Sequence, residues 1–293
     1  MSVNAVGSSQ NEKPSLKSRA ANEVAGAVTH PLQVHVLGVG VYGPGLSGWQ
    51  QSIDVLAGRA PLTLAPISLP PPEALPAAER RRAGLTIKLS FAAGFDAIRQ
   101  AGADPATLRS VFTSTGGDCD TCHTILETLA SSDRAVSPTR FHNSVHNAPS
   151  GYWSIATGCR ATSTSLCAYD GSFAAGLLEA ASQIASAQEP CLLLAYDSPY
   201  PPPLGSVRKI SHPFGVGLVL SPTPGTASAT ITLNLGRGDA TRMADPALET
   251  LRHTVPAARC LPLLQHLARG SSGRATLDYL DGLSLDVDIR APA

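Results

Sequence analysis

Apolar runs alternate with helix-period stretches along most of the chain, and that alternation predicts βαβ units built on a parallel or mixed sheet. Val34 to Val41 is the first strand. A proline-rich crossover, Pro61 to Pro76, leads to a helix over Leu85 to Ala101, where Leu89, Ala92, Ala93 and Ile98 are spaced for one face. Leu108 to Ser114 is the second strand. It runs into the turn residues Gly116, Gly117 and Asp118, and then a helix from about Thr121 to Ala130 carrying Ile125, Leu126 and Leu129. A polar loop follows; its end, Arg140 to Asn147, shows no helical pattern, and a short helix is expected near Ser150 to Ala156. Next come a strand over Thr162 to Ala168, a helix, and a buried strand over Cys191 to Tyr196. After the loop YPPPLGSVRKI, the runs HPFGVGLVLSP and TASATITLNLG supply two more strands.

The remainder, 240–293, has a different texture. It carries a helix near Cys260 to Ala268 and a strand-like Leu283 to Ile289, with Gly and Ser between. The division expected is a disordered tail over 1–30, a main domain over 31–239, and a short C-terminal extension over 240–293 packed on it. The tail is polar and has no apolar core of the length a secretory signal needs.

Composition narrows the function classes. The chain of 293 residues has 22 basic and 22 acidic residues and no net charge, and no Lys/Arg cluster is dense enough for a nucleic-acid footprint. Arg80, Arg81 and Arg82 form the one compact basic run, read as a solvated helix start, with an acidic carrier protein as the other reading. No apolar run approaches the roughly 20 residues of a membrane helix. A cytoplasmic location is expected, and there the six cysteines should be free thiols. Only 15% of residues are charged, so exposed apolar surface and a permanent partner are expected.

The segment from Thr157 to Ile184 (TGCRATSTSLCAYDGSFAAGLLEAASQI) reads as a strand, a sharp elbow and a buried helix. Phe173, Ala174, Ala175, Leu177, Leu178, Ala180, Ala181 and Ile184 point nearly all round the helix axis, which marks it as buried on most sides. Asp170 stands at the elbow, where Asp is a strong N-cap residue. Cys167 lies three residues earlier, among Leu166 and Ala168, and is expected to be an inert interior strand residue.

The order of elements over about Val34 to Gly236 resembles the N-terminal half of the β-ketoacyl synthases, members of the thiolase superfamily. The residues that carry the resemblance are Thr115, Gly116 and Gly117, then Asn147 with Ser154, Ile155, Thr157 and Gly158, and the helix from Ser172 to Ala187. It implies an α/β, thiolase-like layered fold, essentially one half of it, with a mixed sheet and a buried central helix, plus a short C-terminal α/β remnant. In that family the elbow carries the nucleophilic cysteine, and an ungapped register from Thr157 and Gly158 puts Asp170 on that position. A carboxylate cannot hold an acyl chain as a thioester. The family's second half, with its catalytic histidines, is essentially missing here: His253 and His266 lack the glycine-rich settings those histidines occupy.

The chain therefore looks like the truncated chain-length-factor subunits of aryl-polyene and related pigment pathways. That resemblance implies no catalytic residue, no cofactor and no metal. It also implies a heterodimer with a full-length β-ketoacyl synthase, formed partly through the strand Thr162 to Ala168, and an acyl-carrier protein met through the complex. Trp153, Thr164, Cys167, Asp170 and Phe173 are the expected tunnel and interface residues. The alternative is an active condensing enzyme or acyltransferase with Cys167 as nucleophile and His142 or His146 as base. Cys119, Cys122 and His123 have the C-x-x-C-H form of a haem attachment site, but their place at a helix start after a glycine turn favours a structural role.

Overall fold

A computed structural model describes residues 31–292, so the tail expected over 1–30 lies outside the described residues. The strands are β1 (Leu32–Gly43), β2 (Leu46–Ser47), β3 (Arg109–Thr113), β4 (Ser163–Leu166), β5 (Cys191–Asp197), β6 (Phe214–Ser221), β7 (Ala229–Gly236), β8 (Gly273–Asp278) and β9 (Ser284–Arg290). They form one mixed sheet in the order β4-β3-β5-β6-β1-β7-β9-β8, with β2 as a short hairpin partner of β1. β3 pairs in parallel with β4 and β5, and the other pairings along the sheet are antiparallel.

The helices are α1 (Trp49–Leu56), α2 (Ala77–Arg82), α3 (Leu85–Ala101), α4 (Cys119–Ala130), α5 (Pro138–Asn143), α6 (Ala148–Thr157), α7 (Ser172–Ala187), α8 (Leu204–Val207), α9 (Pro246–Thr254) and α10 (Leu261–Arg269). They build a core on each face of the sheet. On one face α3 and α6 bury Leu89, Phe91, Ala93, Ala97 and Trp153. On the other, α7, α9, α10 and the 3-10 turn Pro256–Cys260 bury Phe173, Leu177, Ala181, Leu251 and Leu264. α7 is thus the central helix that its apolar residues predicted. Glycine lets α3 lie directly on β1: a Cβ on Gly38 would stand 2.1 Å from the Ala97 carbonyl oxygen, and one on Gly40 2.0 Å from that of Ala93.

Segment 240–293 does not form a separate sheet, because β9 pairs along β7 and β8 closes that edge. Before them, the side chain of Asp245 accepts hydrogen bonds from the Ala247 (2.8 Å) and Leu248 (3.0 Å) amides, with Pro246 at the first helical position of α9. The same device corrects one expectation. The stretch read as a loop around Arg140 begins with the short helix α5, since Ser137 caps it and Pro138 is pre-set for a helix start. Among the described residues, no helix is long and apolar enough to cross a membrane.

Candidate functional site

The elbow lies where β4 stops at Leu166. Cys167 and Ala168 lead into a single 3-10 turn, Tyr169–Gly171, and α7 begins at Ser172. Tyr169 has φ +52°, a left-handed conformation that costs a bulky residue on the order of 1–2 kcal/mol. Ser172 seals the turn: its hydroxyl accepts from the Ala168 amide (3.0 Å) and donates to the Tyr169 carbonyl (2.7 Å). Asp170 is therefore not the helix cap that the sequence suggested. The carboxylate turns away from α7, drawn to two guanidinium groups that the chain brings from far downstream.

Arg208 Nη2 stands 2.6 Å from one Asp170 oxygen, and Arg259 Nη2 3.1 Å from the other. Arg208 also donates to the Thr115 hydroxyl (2.9 Å), and its guanidinium lies 3.5 Å from the centre of the Tyr169 ring. Arg259 reaches on to Asp278 (3.5 Å), which holds Arg252 (2.7 Å), which holds Glu249 (2.8 Å). The result is a chain of alternating charge from the elbow to the C-terminal strands. Backbone contact reinforces it, for a Cβ on Gly171 would be 2.0 Å from the Tyr279 carbonyl oxygen.

Beneath the elbow sits a second carboxylate that the sequence reading missed. Asp197, the last residue of the wholly buried β5, is fully buried. One oxygen accepts from the Thr115 amide (2.8 Å) and the Ser114 hydroxyl (3.1 Å), and the other from the Ala257 amide (2.8 Å). Burial pushes its pKa up to about 7, against the pull of those three hydrogen bonds and of Arg208. Through Thr115 and Ala257 it fixes the segments that carry Arg208's hydroxyl partner and Arg259.

Two cavities meet at the Tyr169–Asp170 bridge. The larger, about 500 Å³, is bounded by Asp170, Arg237, Arg259, Asp278 and Tyr279. The smaller, about 210 Å³, lies on the Arg208, Lys209 and His253 side.

The other sequence candidates scatter. Cys167 is exposed just beyond the end of β4, which corrects the expectation of an interior strand thiol; the strand expected over Thr162 to Ala168 runs only from Ser163 to Leu166. Thr164 on β4 accepts from the Gln183 amide of α7 (2.9 Å). Phe173 is buried on the α7 face. Trp153 is buried on the α3 face, its ring 4.7 Å from Phe95, 5.3 Å from Phe91 and 6.2 Å from Phe112. His142 is exposed against the edge of Tyr152, while His146 Nε2 donates to the Ser114 carbonyl (3.1 Å). The Cys119 thiol, pushed up to about 11 chiefly by burial, donates to the Gly116 carbonyl (3.3 Å). Cys122 points to the Ser144 carbonyl, and His123 pairs with Glu127 (3.2 Å). Among the described residues, no three His, Cys, Asp or Glu side chains cluster as a metal site would require.

A family model, Beta-ketoacyl synthase, N-terminal domain, matches residues 49–277. The chain belongs to this family. Its thiolase-like fold is shared with solved structures at low identity. In a ketosynthase, ApeO, in complex with its chain length factor, ApeC, from Xenorhabdus doucetiae, the likeness has TM-score 0.66 at 22% identity and covers 87% of this chain and 99% of that one. AntDE:AntF, a type II acyl-carrier protein in complex with its ketosynthase, gives 0.68 at 13%, covering 90% and 100%. A β-ketoacyl synthase from Burkholderia phymatum STM815 gives 0.55 at 13%, covering 82% and 71%. No curated protein matches the sequence.

Among the described residues of this β-ketoacyl synthase homologue, β4 lies at the edge of the sheet and pairs only with β3. Several elements of the same half of the chain also expose apolar side chains. None of the residues of α4 is buried, and Leu126 is 64% exposed; Phe141, Ile155, Tyr169 and Val207 are exposed on α5, α6, the elbow and α8. Unpaired strand edges and apolar patches of this kind are characteristic of surfaces that meet another chain.

Proposed function

We propose that the chain is a non-catalytic, chain-length-factor-like subunit that pairs with an active β-ketoacyl-carrier-protein synthase and shapes the tunnel for a growing acyl, polyketide or polyene chain. The observation that carries this reading is Asp170: the residue at the expected nucleophile position is a carboxylate held by two arginines. It offers no thiol for acyl transfer.

The partner would add its own strand to β4, cover the leucines of α4, and meet the acyl-carrier protein as part of the complex. In this reading Thr164 on β4, Cys167 and Asp170 at the elbow, and Phe173 at the start of α7 are the interface and tunnel residues, although their side chains meet different neighbours. Trp153 acts at a distance, fixing α6 against α3. Co-expression with a full-length ketosynthase of the ApeO type tests the proposal: a one-to-one complex by light scattering, and altered product length on Phe173→Ala or Phe173→Trp, are expected. An isolated chain that stays monodisperse and monomeric, with no capture of the synthase, would sink it.

The exposure of Cys167 favours a second reading, acylation of that thiol. A Cys167-dependent mass increment after incubation with acyl-CoA or acyl-carrier protein, absent in Cys167→Ala, would replace the first reading with this one.

A further inference from the structure

We propose that the elbow is a carboxylate receptor, occupied by the chain's own Asp170. Arg208 and Arg259 arrive from different segments and converge on the two oxygens of one carboxylate, at 2.6 Å and 3.1 Å. Each has a further partner besides Asp170. Arg208 is also held by the Thr115 hydroxyl and by stacking on Tyr169, and Arg259 by Asp278. Both side chains are mostly buried, at 18% and 16% exposure, so two poorly hydrated cations would be left facing each other if the carboxylate were removed. The flanking cavities of about 500 and 210 Å³ give a small anion a way in from either side.

A receptor built this way has a defined ligand class. Two guanidinium groups on one acceptor pair match the planar, two-oxygen geometry of a carboxylate. Formate matches the carboxylate that Asp170→Ala removes, and the flanking cavities leave room for the extra methyl of acetate. The inference goes beyond the partner role proposed above and does not depend on it, because its test reads the full chain alone.

Asp170→Ala is expected to lower Tm by about 3–8 °C. Formate or acetate should restore it saturably, beyond the effect of chloride at equal ionic strength, and an added Arg208→Ala should abolish the rescue. A variant as stable as the natural chain, an equal response to chloride and formate, or rescue that survives Arg208→Ala would overturn the assignment. If Asp170→Ala does not fold, Asp170→Cys provides the readout. Between two guanidinium groups its thiol should titrate well below the ordinary value of about 8.5. Titration at or above that value would overturn the receptor.

Discussion

Asp197→Asn should flatten the pH dependence of stability, and the structure sets the size of the effect. The native carboxyl keeps its proton up to about pH 7, whereas its ordinary value is 3.8. Between those limits the folded chain binds one proton more than the unfolded chain. Stability therefore falls as pH rises, by about 1.4 kcal/mol per unit, for a total on the order of 4 kcal/mol across the window. Above pH 7 the contribution is flat. Asn cannot titrate, and its amide N–H must face one of the three donors, Ser114, Thr115 or Ala257, at a pH-independent cost of about 1–3 kcal/mol. Urea denaturation of both proteins at pH 5, 6 and 7 and fixed ionic strength measures the difference. The stability advantage of the natural chain over the variant should shrink by about 2–3 kcal/mol from pH 5 to 7. Parallel curves would refute the argument. An advantage that grows with pH would show that the three hydrogen bonds outweigh burial.

Trp153→Ala empties the aromatic cluster between α3 and α6 and should cost about 3–5 kcal/mol in denaturant unfolding; a loss below about 1 kcal/mol would mean that the ring is not packed as described. Gly40→Ala forces α3 off β1 and should destabilise by about 3 kcal/mol or more, while Gly151→Ala, with open space around its Cβ on α6, should gain about 0.5–1 kcal/mol; the reverse order in thermal melts would contradict the packing. Brief treatment with iodoacetamide at pH 8 should label the exposed Cys167 well before Cys119 and Cys191, whose thiols are pushed up to about 11 and about 12, chiefly by burial. Peptide mapping that finds Cys191 labelled as fast as Cys167 would count against this.

Local signals made much of the fold legible. α3 runs from Leu85 to Ala101 as its apolar spacing predicts, and it ends at Gly102, which adopts the left-handed conformation that glycine tolerates. β5 and β6 are apolar without alternation because both of their faces are covered. α9 went unread although Asp245 and Pro246 announce it, and β8 is too short and too exposed at its start to show a period. Cys167 was misplaced because the edge strand stops at Leu166, one residue before it, and leaves the thiol in the exposed lead-in to the elbow. The charged elbow was out of reach for another reason. Arg208 is 38 residues from Asp170 and Arg259 is 89, and no local pattern ties a carboxylate to partners so distant. The same holds for Asp197 and Ala257, 60 residues apart.

Among the described residues, β1 is the first strand of the sheet in sequence and an interior one in space. Its two long neighbours, β6 and β7, are translated far later; the bond between His35 and Thr230 spans 195 residues. During synthesis the ribosome thus releases a twelve-residue, largely apolar strand that has just the two-residue β2 to pair with until most of the chain has emerged. Closure of such large loops is slow, and the waiting strand is a template for pairing with other chains. Yield in the cell is then set by how fast the C-terminal strands arrive, so deletions that remove β7 should send the whole chain into aggregates rather than leave a folded N-terminal half.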